Sequence, residues 1–544
     1  SGPLVWMRGE GGDGNAPGRE GQLAIIRQSP RQGEQPGNPR EGARCRGVMR
    51  RGGARLHGFG ARPTMRRSFR RSPLMNHPYA IAQSLRRPIP EALAVALRER
   101  FGERFSMARA VCEHHGRDES PFPVTPPDGV VYAESTEDVA AALALCRTHK
   151  VPVIPYGAGS SLEGHLLAVQ GGVSIDVSRM NAIVSIDAED LTATVQAGVT
   201  RKQLNEALRS EGMFFPVDPG AGASLGGMSA TRASGTNAVR YGTMRENVLG
   251  LTVVSSEGKV IRTGSRAKKS SAGYDLTRLF VGSEGTLGVI TEVTVKLYPV
   301  PEAMSAAVVN FPSLESAVRT VIQTIQLGVP IARSEYLCEN TIRAVNAASK
   351  LGLREQHTLF FEFHGSEAGV REQAETVQAI AAEQGGQDFE WATRPEDRTR
   401  LWDARHKAYF SCLQVRPGCR AISTDTCVPI SRLADSISGA RRILDTASFP
   451  TMLLGHVGDG NFHAVTLIDA NDPNEVAEAE RLNDEIVRLA LAMDGTCTGE
   501  HGVGLHKIGF LEEEAGDDAL DLMRRIKRAL DPDDIMNPGK IFRI

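Results

Sequence analysis

Apolar and polar positions first settle into a regular period near residue 88, where residues 89–105 have the spacing of one amphipathic helix. Residues 121–127 carry four prolines and must run extended. A short apolar strand follows at 130–132. Ser135, with Asp138 three residues on, announces a helix that runs through AALALCRTHK to an apolar strand at 151–155. Strand, helix and strand predict a βαβ unit. Beyond it, GVSIDVS and AIVSIDAEDLTATVQAG read as strands. Thr200, with Gln203 three residues later, opens a helix that Gly212 closes. Two hairpin-like segments come next, LTVVSSEGKVIRTG, turning at Ser256-Glu257-Gly258, and LGVITEVTVKLYPVP. Pro299 and Pro301 mark a boundary. A second α/β region spans 306–467, and helices at 476–493 and 520–530 close the chain. The strands are short and broken by glycine turns, so the expected class is α+β rather than a regular doubly wound sheet. No internal repeat is found.

At 544 residues the chain exceeds one ordinary domain. Its formal charge of −2 gives no basic surface for nucleic acid, and no apolar run approaches the roughly 20 residues of a spanning helix. Eight cysteines without a CxxC pair give neither a disulfide framework nor a zinc ribbon. Charge is unevenly divided. Residues 1–75 hold fifteen arginines, no lysine and five acids, a formal +10 that leaves −12 on the remainder. With fifteen glycines and little to bury, this Arg/Gly-rich extension is expected to be disordered. It reads as upstream sequence absent from the mature protein, as a mitochondrial transit peptide (MRRSFRRSPLM, residues 65–75, fits that locally), or as a basic arm for a membrane surface.

Fifty-six glycines, about a tenth of the chain, are bunched. Tyr156-Gly157-Ala158-Gly159-Ser160-Ser161 follows a strand directly, and glycines there let backbone N–H groups converge on an anion. Leu162 breaks any G-x-G-x-x-G pattern, and no Lys-Ser/Thr pair follows, so this is neither a Rossmann fingerprint nor a P-loop. Two further small-residue stretches recur, at 218–228 (extended by TRASGTN, 231–237) and at 281–288. Three such loops in one region suggest an extended dinucleotide held by backbone groups.

These residues carry a resemblance. PYGAGSS, DPG-x-x-x-S-x-GG-M and GSEGTLGVIT resemble the FAD-binding domain of the vanillyl-alcohol oxidase and p-cresol methylhydroxylase (PCMH) superfamily. The resemblance implies pyrophosphate ligands at Gly157, Ala158, Gly159, Ser160 and Ser161. It implies further FAD contacts at Pro219, Gly220, Ser224, Gly227, Ser234, Gly235, Glu284 and Ile290. Some relatives attach the flavin through His or Cys. LEGHLL around His165 does not match the attachment motif, so non-covalent FAD is expected and His165 reads as an ordinary loop residue.

A second constellation lies in GHVGDGNFH, where His456 and His463 stand seven apart around a Gly-Asp-Gly turn, and in Glu500-His501-Gly502. Two imidazoles and a carboxylate suit Zn²⁺ or Mn²⁺ with open positions. With GEHGVG-x-x-K and MNPGKIF, this set resembles the D-2-hydroxyacid dehydrogenase branch of the superfamily, most closely its cytochrome-linked D-lactate dehydrogenases. The resemblance implies His456, His463 and Glu500 as metal ligands, His501 as the base, Asn461 beside the substrate, and Arg405 gripping the substrate carboxylate. It also implies metal-assisted deprotonation, hydride transfer to flavin N5, and an electron acceptor such as cytochrome c or a quinone.

Members acting on 2-hydroxyglutarate place a basic residue where this chain has Ser423, which favours a small monocarboxylate, D-lactate first. The alternatives are a flavin subunit of a glycolate-oxidising complex, a D-2-hydroxyglutarate dehydrogenase, and a non-redox ether-lipid synthase, which would lack the His and Glu set. The domains expected are 88–301 for PCMH-type FAD binding, 302–500 for a substrate cap with the metal site, and 501–544 for a segment returning to the FAD domain. The protein would be cytoplasmic or peripheral on the inner membrane if bacterial, and mitochondrial if the extension is a transit peptide.

Overall fold

The computed structural model describes residues 86–544, so the expected disorder of 1–75 lies outside the described residues. The first helix, Glu91–Phe101, buries Leu93, Ala94, Leu97 and Phe101 along one face. It stops short of residue 105 because Gly102 takes a left-handed φ of 56° at its end, and Phe105 instead pairs with Val131 as an edge strand. The helix Thr136–Thr148 starts as expected, with Asp138 N donating to the Ser135 side chain. The two strands it joins, Gly129–Tyr132 and Val153–Tyr156, are parallel but not neighbours. Val173–Asp176 pairs with both and lies between them. All four of its residues are buried, which gives no alternation to reveal a central strand.

A five-stranded antiparallel sheet follows, in the order Ile183–Asp187, Thr192–Gln196, Gly288–Lys296, Val248–Ser255, Val260–Arg262. The hairpin expected at 251–264 forms, from Val248–Ser255 and Val260–Arg262. The second hairpin-like segment is instead one central strand, Gly288–Lys296, paired on both sides. Its alternating VITEVTV has no turn residue at which to reverse.

From Ala303 the chain builds a larger sheet, ordered Gln387–Ala392, Ala303–Phe311, His357–Gly365, Ile331–Leu337, Thr451–Gly455, Asn461–Ile468, Arg420–Ser423. Its faces alternate between two cores. Val309, Phe361, Tyr336, Leu453 and Ala464 pack under the helices Leu314–Gln326, Glu367–Glu383 and Leu433–Leu444. Val308, Phe360, Leu337, Leu454 and Val465 pack under the helices carrying Ile342 and Trp402. The last helix is longer than the period implied, Ile508–Leu530, and bends at Gly516 (φ 72°). The tail then runs back to the first sheet, where Val153 N donates to Ile535 O (2.7 Å) and Asn537 N to Val153 O (2.8 Å). Among the described residues no helix is long and apolar enough to cross a membrane.

Candidate functional site

The strand Val153–Tyr156 delivers the loop 157–161 to the wall of a cavity of about 1200 Å³. A Cβ on Gly157 would stand 2.6 Å from Ser224 Oγ, and one on Gly159 (φ 76°) 2.5 Å from the Tyr156 hydroxyl, so only glycine fits at either place. Ser224 is held because it caps the helix Leu225–Thr231. Gly157, Ala158, Gly159, Ser160, Ser161, Pro219, Ser224, Gly227, Glu284 and Ile290 all line this cavity. Gly220, Ser234 and Gly235 are not among its lining residues. For Gly235 the reason is structural: its φ is 132° and an added Cβ would lie 1.7 Å from Asp218 O.

Glu284 does more than face the cavity. Its carboxylate accepts from Val503 N (2.7 Å) and Gly504 N (2.9 Å), which clamps the loop after His501. It also pairs with His165 Nε2 at 3.1 Å, so His165 is a buried cavity residue and not an ordinary loop position. Burial disfavours charge on His165, but the Glu284 carboxylate outweighs it and its pKa is raised.

The histidine cluster rests on a hairpin. Thr451–Gly455 ends at His456, a short turn covers Val457–Asp459, Gly460 takes a φ of 82°, and Asn461–Ile468 returns. The reversal brings the His456 and His463 rings to 5.5 Å, edge to face. Glu500 Oε1 lies 2.9 Å from His456 Nε2 and 3.5 Å from His463 Nε2, while Glu500 Oε2 is buried without a hydrogen-bond partner. Two ring nitrogens converging on one carboxylate with an oxygen to spare make a donor set that fits a divalent cation.

Glu500 and His501 are neighbours, yet both line the large cavity. Asp425 produces that bend. Its Oδ2 accepts from Glu500 N (2.9 Å), His501 N (2.8 Å) and Thr498 Oγ1 (2.9 Å). Asp425, His463, Glu500 and His501 also offer ligand atoms within 4.8 Å of one another. Because Asp425 is already saturated by this loop and by Asn461 Nδ2 (2.9 Å), we assign it to scaffolding. The His501 ring stacks on His463 at 5.1 Å, and its Nδ1 lies 3.3 Å from Glu163 Oε1. Burial lowers the affinity of His501 for a proton, but Asp425 and Glu163 more than compensate, so its pKa is raised. Burial has the upper hand at His463, whose pKa is lowered.

Asn461 spends its donor on Asp425 and on Thr426 O (3.0 Å), leaving only its oxygen unpartnered. Arg405 is buried, ion-paired with Glu335, and outside the lining of the large cavity, with its Nε lacking a partner. A smaller cavity of about 290 Å³ opens beside His501, lined by Glu119, Pro121, Leu162, Glu163, Tyr409, Ala421, Ile422, Ser423 and His506. Sequence reasoning passed over Asp425, Glu335 and Glu163. Lys507 is the lysine of GEHGVG-x-x-K. It donates to Glu163 (2.9 Å) and so helps fix the acid that holds His501.

A three-loop small-residue cradle whose cavity is also lined by Glu500 and His501 of the C-terminal half defines a two-domain flavin-dependent oxidoreductase. Residues 127–264 match the FAD binding domain family, and 300–541 match the family of FAD linked oxidases, C-terminal domain. The chain is 50% identical over 445 residues to a probable mitochondrial D-lactate dehydrogenase of Danio rerio, covering 81% of this chain and 90% of that one. It is 50% identical over 430 residues to the mitochondrial D-lactate dehydrogenase [cytochrome] of Arabidopsis thaliana (79% and 76%). Its identity to glycolate oxidase subunit GlcD of Bacillus subtilis is 34% (81% and 94%). The p-cresol methylhydroxylase structure shares the fold at a TM-score of 0.71 and 17% identity, over 85% of this chain and 97% of that one. The chain therefore belongs to the FAD-linked oxidase family, and FAD is its cofactor.

Proposed function

We propose that this protein oxidises a small D-2-hydroxy acid, D-lactate foremost, to the 2-oxo acid, and passes the electrons through non-covalent FAD to a cytochrome. The observation that carries this reading is that Glu500 and His501 both stand in the wall of the flavin cavity, bent into place by Asp425. The relatives named D-lactate dehydrogenase support the substrate and the acceptor.

Bound FAD supplies the hydride acceptor, and a Zn²⁺ or Mn²⁺ held by His456, His463 and Glu500 supplies Lewis acidity. The chain's own residues do the rest. His501, held through Nδ1 by Glu163, presents Nε2 as the proton acceptor for the substrate hydroxyl. Arg405 is the planar cation proposed for the substrate carboxylate; Glu335 engages one of its terminal nitrogens, and its buried Nε has no partner. The small cavity beside His501 takes the side chain at C2. Its lining holds no lysine or arginine to pair a second carboxylate, which supports a monocarboxylate. Relatives named mitochondrial support the transit-peptide reading of the Arg-rich extension.

The test is a panel of D- and L-lactate, glycolate and D-2-hydroxyglutarate with the purified single chain, using cytochrome c and a dye as acceptors. D-lactate turnover well above the others is expected. A preference for glycolate, or no turnover without further subunits, would overturn the reading.

A further inference from the structure

Glu335 has no part in the sequence reading, yet it is fully buried at the point where the two halves of the cap chemistry meet. It lies on Ile331–Leu337, two residues before Leu337, so it shares that residue's face of the sheet and looks toward the helix Pro395–His406. Its neighbour strand pairs Leu337 with Leu454, which sets Glu335 level with His456. One oxygen, Oε2, ion-pairs with Arg405. The other, Oε1, lies 2.8 Å from His456 Nδ1. The chain of contacts therefore runs from Arg405 through Glu335 and His456 to Glu500, with His456 Nε2 left facing Glu500 at 2.9 Å.

We infer that Glu335 is a positioning residue that fixes His456 for metal binding while anchoring the Arg405 guanidinium. A buried carboxylate without partners is costly, and here both partners are functional groups, so the acid is satisfied only when each is in place. With Nδ1 engaged, His456 can offer only Nε2 to a cation, and its ring plane is set. Outer carboxylates of this kind are worth about 10- to 100-fold in metal affinity. Arg405 balances the charge, so the acid can orient the imidazole without being expelled from the core.

The inference rests on the metal site proposed above, and the test separates the two. The FAD-loaded protein is stripped with a chelator and titrated with Mn²⁺ by calorimetry, and separately with Co²⁺, whose visible spectrum reports ligand geometry. Wild type is expected to bind one equivalent. Glu335→Gln is expected to bind about 10- to 100-fold more weakly and to shift the Co²⁺ bands, with flavin content unchanged. Glu335→Asp, which keeps the charge, is expected to recover part of the loss, and it decides the matter if the Gln variant fails to retain flavin. Wild-type affinity and an unaltered Co²⁺ spectrum in a folded Glu335 variant would overturn this inference alone. A wild type that binds neither ion would overturn the metal site and the inference together.

Discussion

The roles proposed for His501 and for His456, His463 and Glu500 separate at the level of single side chains. His501→Ala removes the proton acceptor but none of the three residues that converge beyond it, so turnover is expected to fall about 10²- to 10⁴-fold with flavin and metal retained. His456→Ala or His463→Ala is expected to lose metal while keeping flavin, and metal analysis of the purified variants distinguishes the two outcomes. The His165–Glu284 pair gives a pH signature. Burial opposes charge on both, but each partner overcomes it, so the His165 pKa is raised and the Glu284 pKa lowered. A raised histidine contributes fully below its unfolded value of about 6.5 and loses that contribution as pH rises through the folded value. A lowered carboxylate contributes fully above about 4.3 and loses it as pH falls. The difference in unfolding temperature between wild type and His165→Gln should therefore be widest between about pH 4.3 and 6.5 and narrow on either side. A constant difference across pH would show that the pair is uncharged. The histidines were legible in the sequence because glycine-flanked motifs mark them locally. Glu335 lies 121 residues from His456, and Glu163 lies 338 residues from His501, so no spacing could announce either acid.

Loops and hairpins, rather than helices, place the chemistry among the secondary-structure elements. The loop 157–161 works because its glycines leave no Cβ between strand, helix cap and cavity. Gly159→Trp would drive an indole against Tyr156 and into the cavity, and the variant is expected to purify without flavin. Stoichiometric FAD in that variant would remove this loop from the cofactor site. The helix starts at Ser135 and Thr200 were readable because side-chain caps are local. The strand Val173–Asp176 was readable as a strand but not as the centre of its sheet, since a strand buried on both faces has no alternation and its neighbours are fixed by long-range packing. The long strand Gly288–Lys296 misled for the opposite reason. Glycine at its head and prolines at its tail resembled hairpin punctuation, while the uninterrupted alternation between them was the stronger signal.

For the whole molecule, the catalytic apparatus is assembled from segments far apart in the chain, closed by a tail that returns to the first sheet. Asn537 makes this physical: its side chain donates to His165 O (3.1 Å) and Glu284 O (2.8 Å) in the wall of the large cavity. At the other end, Arg86 is already tied to Asp128 (2.6 Å) and Arg87 to Asp534 O (2.6 Å), so the described structure is anchored from its first residues. Deleting residues 1–74, whose composition offers little to bury, is therefore expected to leave flavin content and turnover unchanged. Loss of either would assign that extension a structural role. The central claim, that this chain by itself takes a hydride from a D-2-hydroxy acid into its own FAD, is tested most directly by mixing the purified, metal-replete protein anaerobically with D-lactate and with L-lactate while following the flavin absorbance. Rapid and complete bleaching by D-lactate, with little by its enantiomer, is the expected result. A flavin that stays oxidised with D-lactate in protein of full FAD and metal content would contradict it.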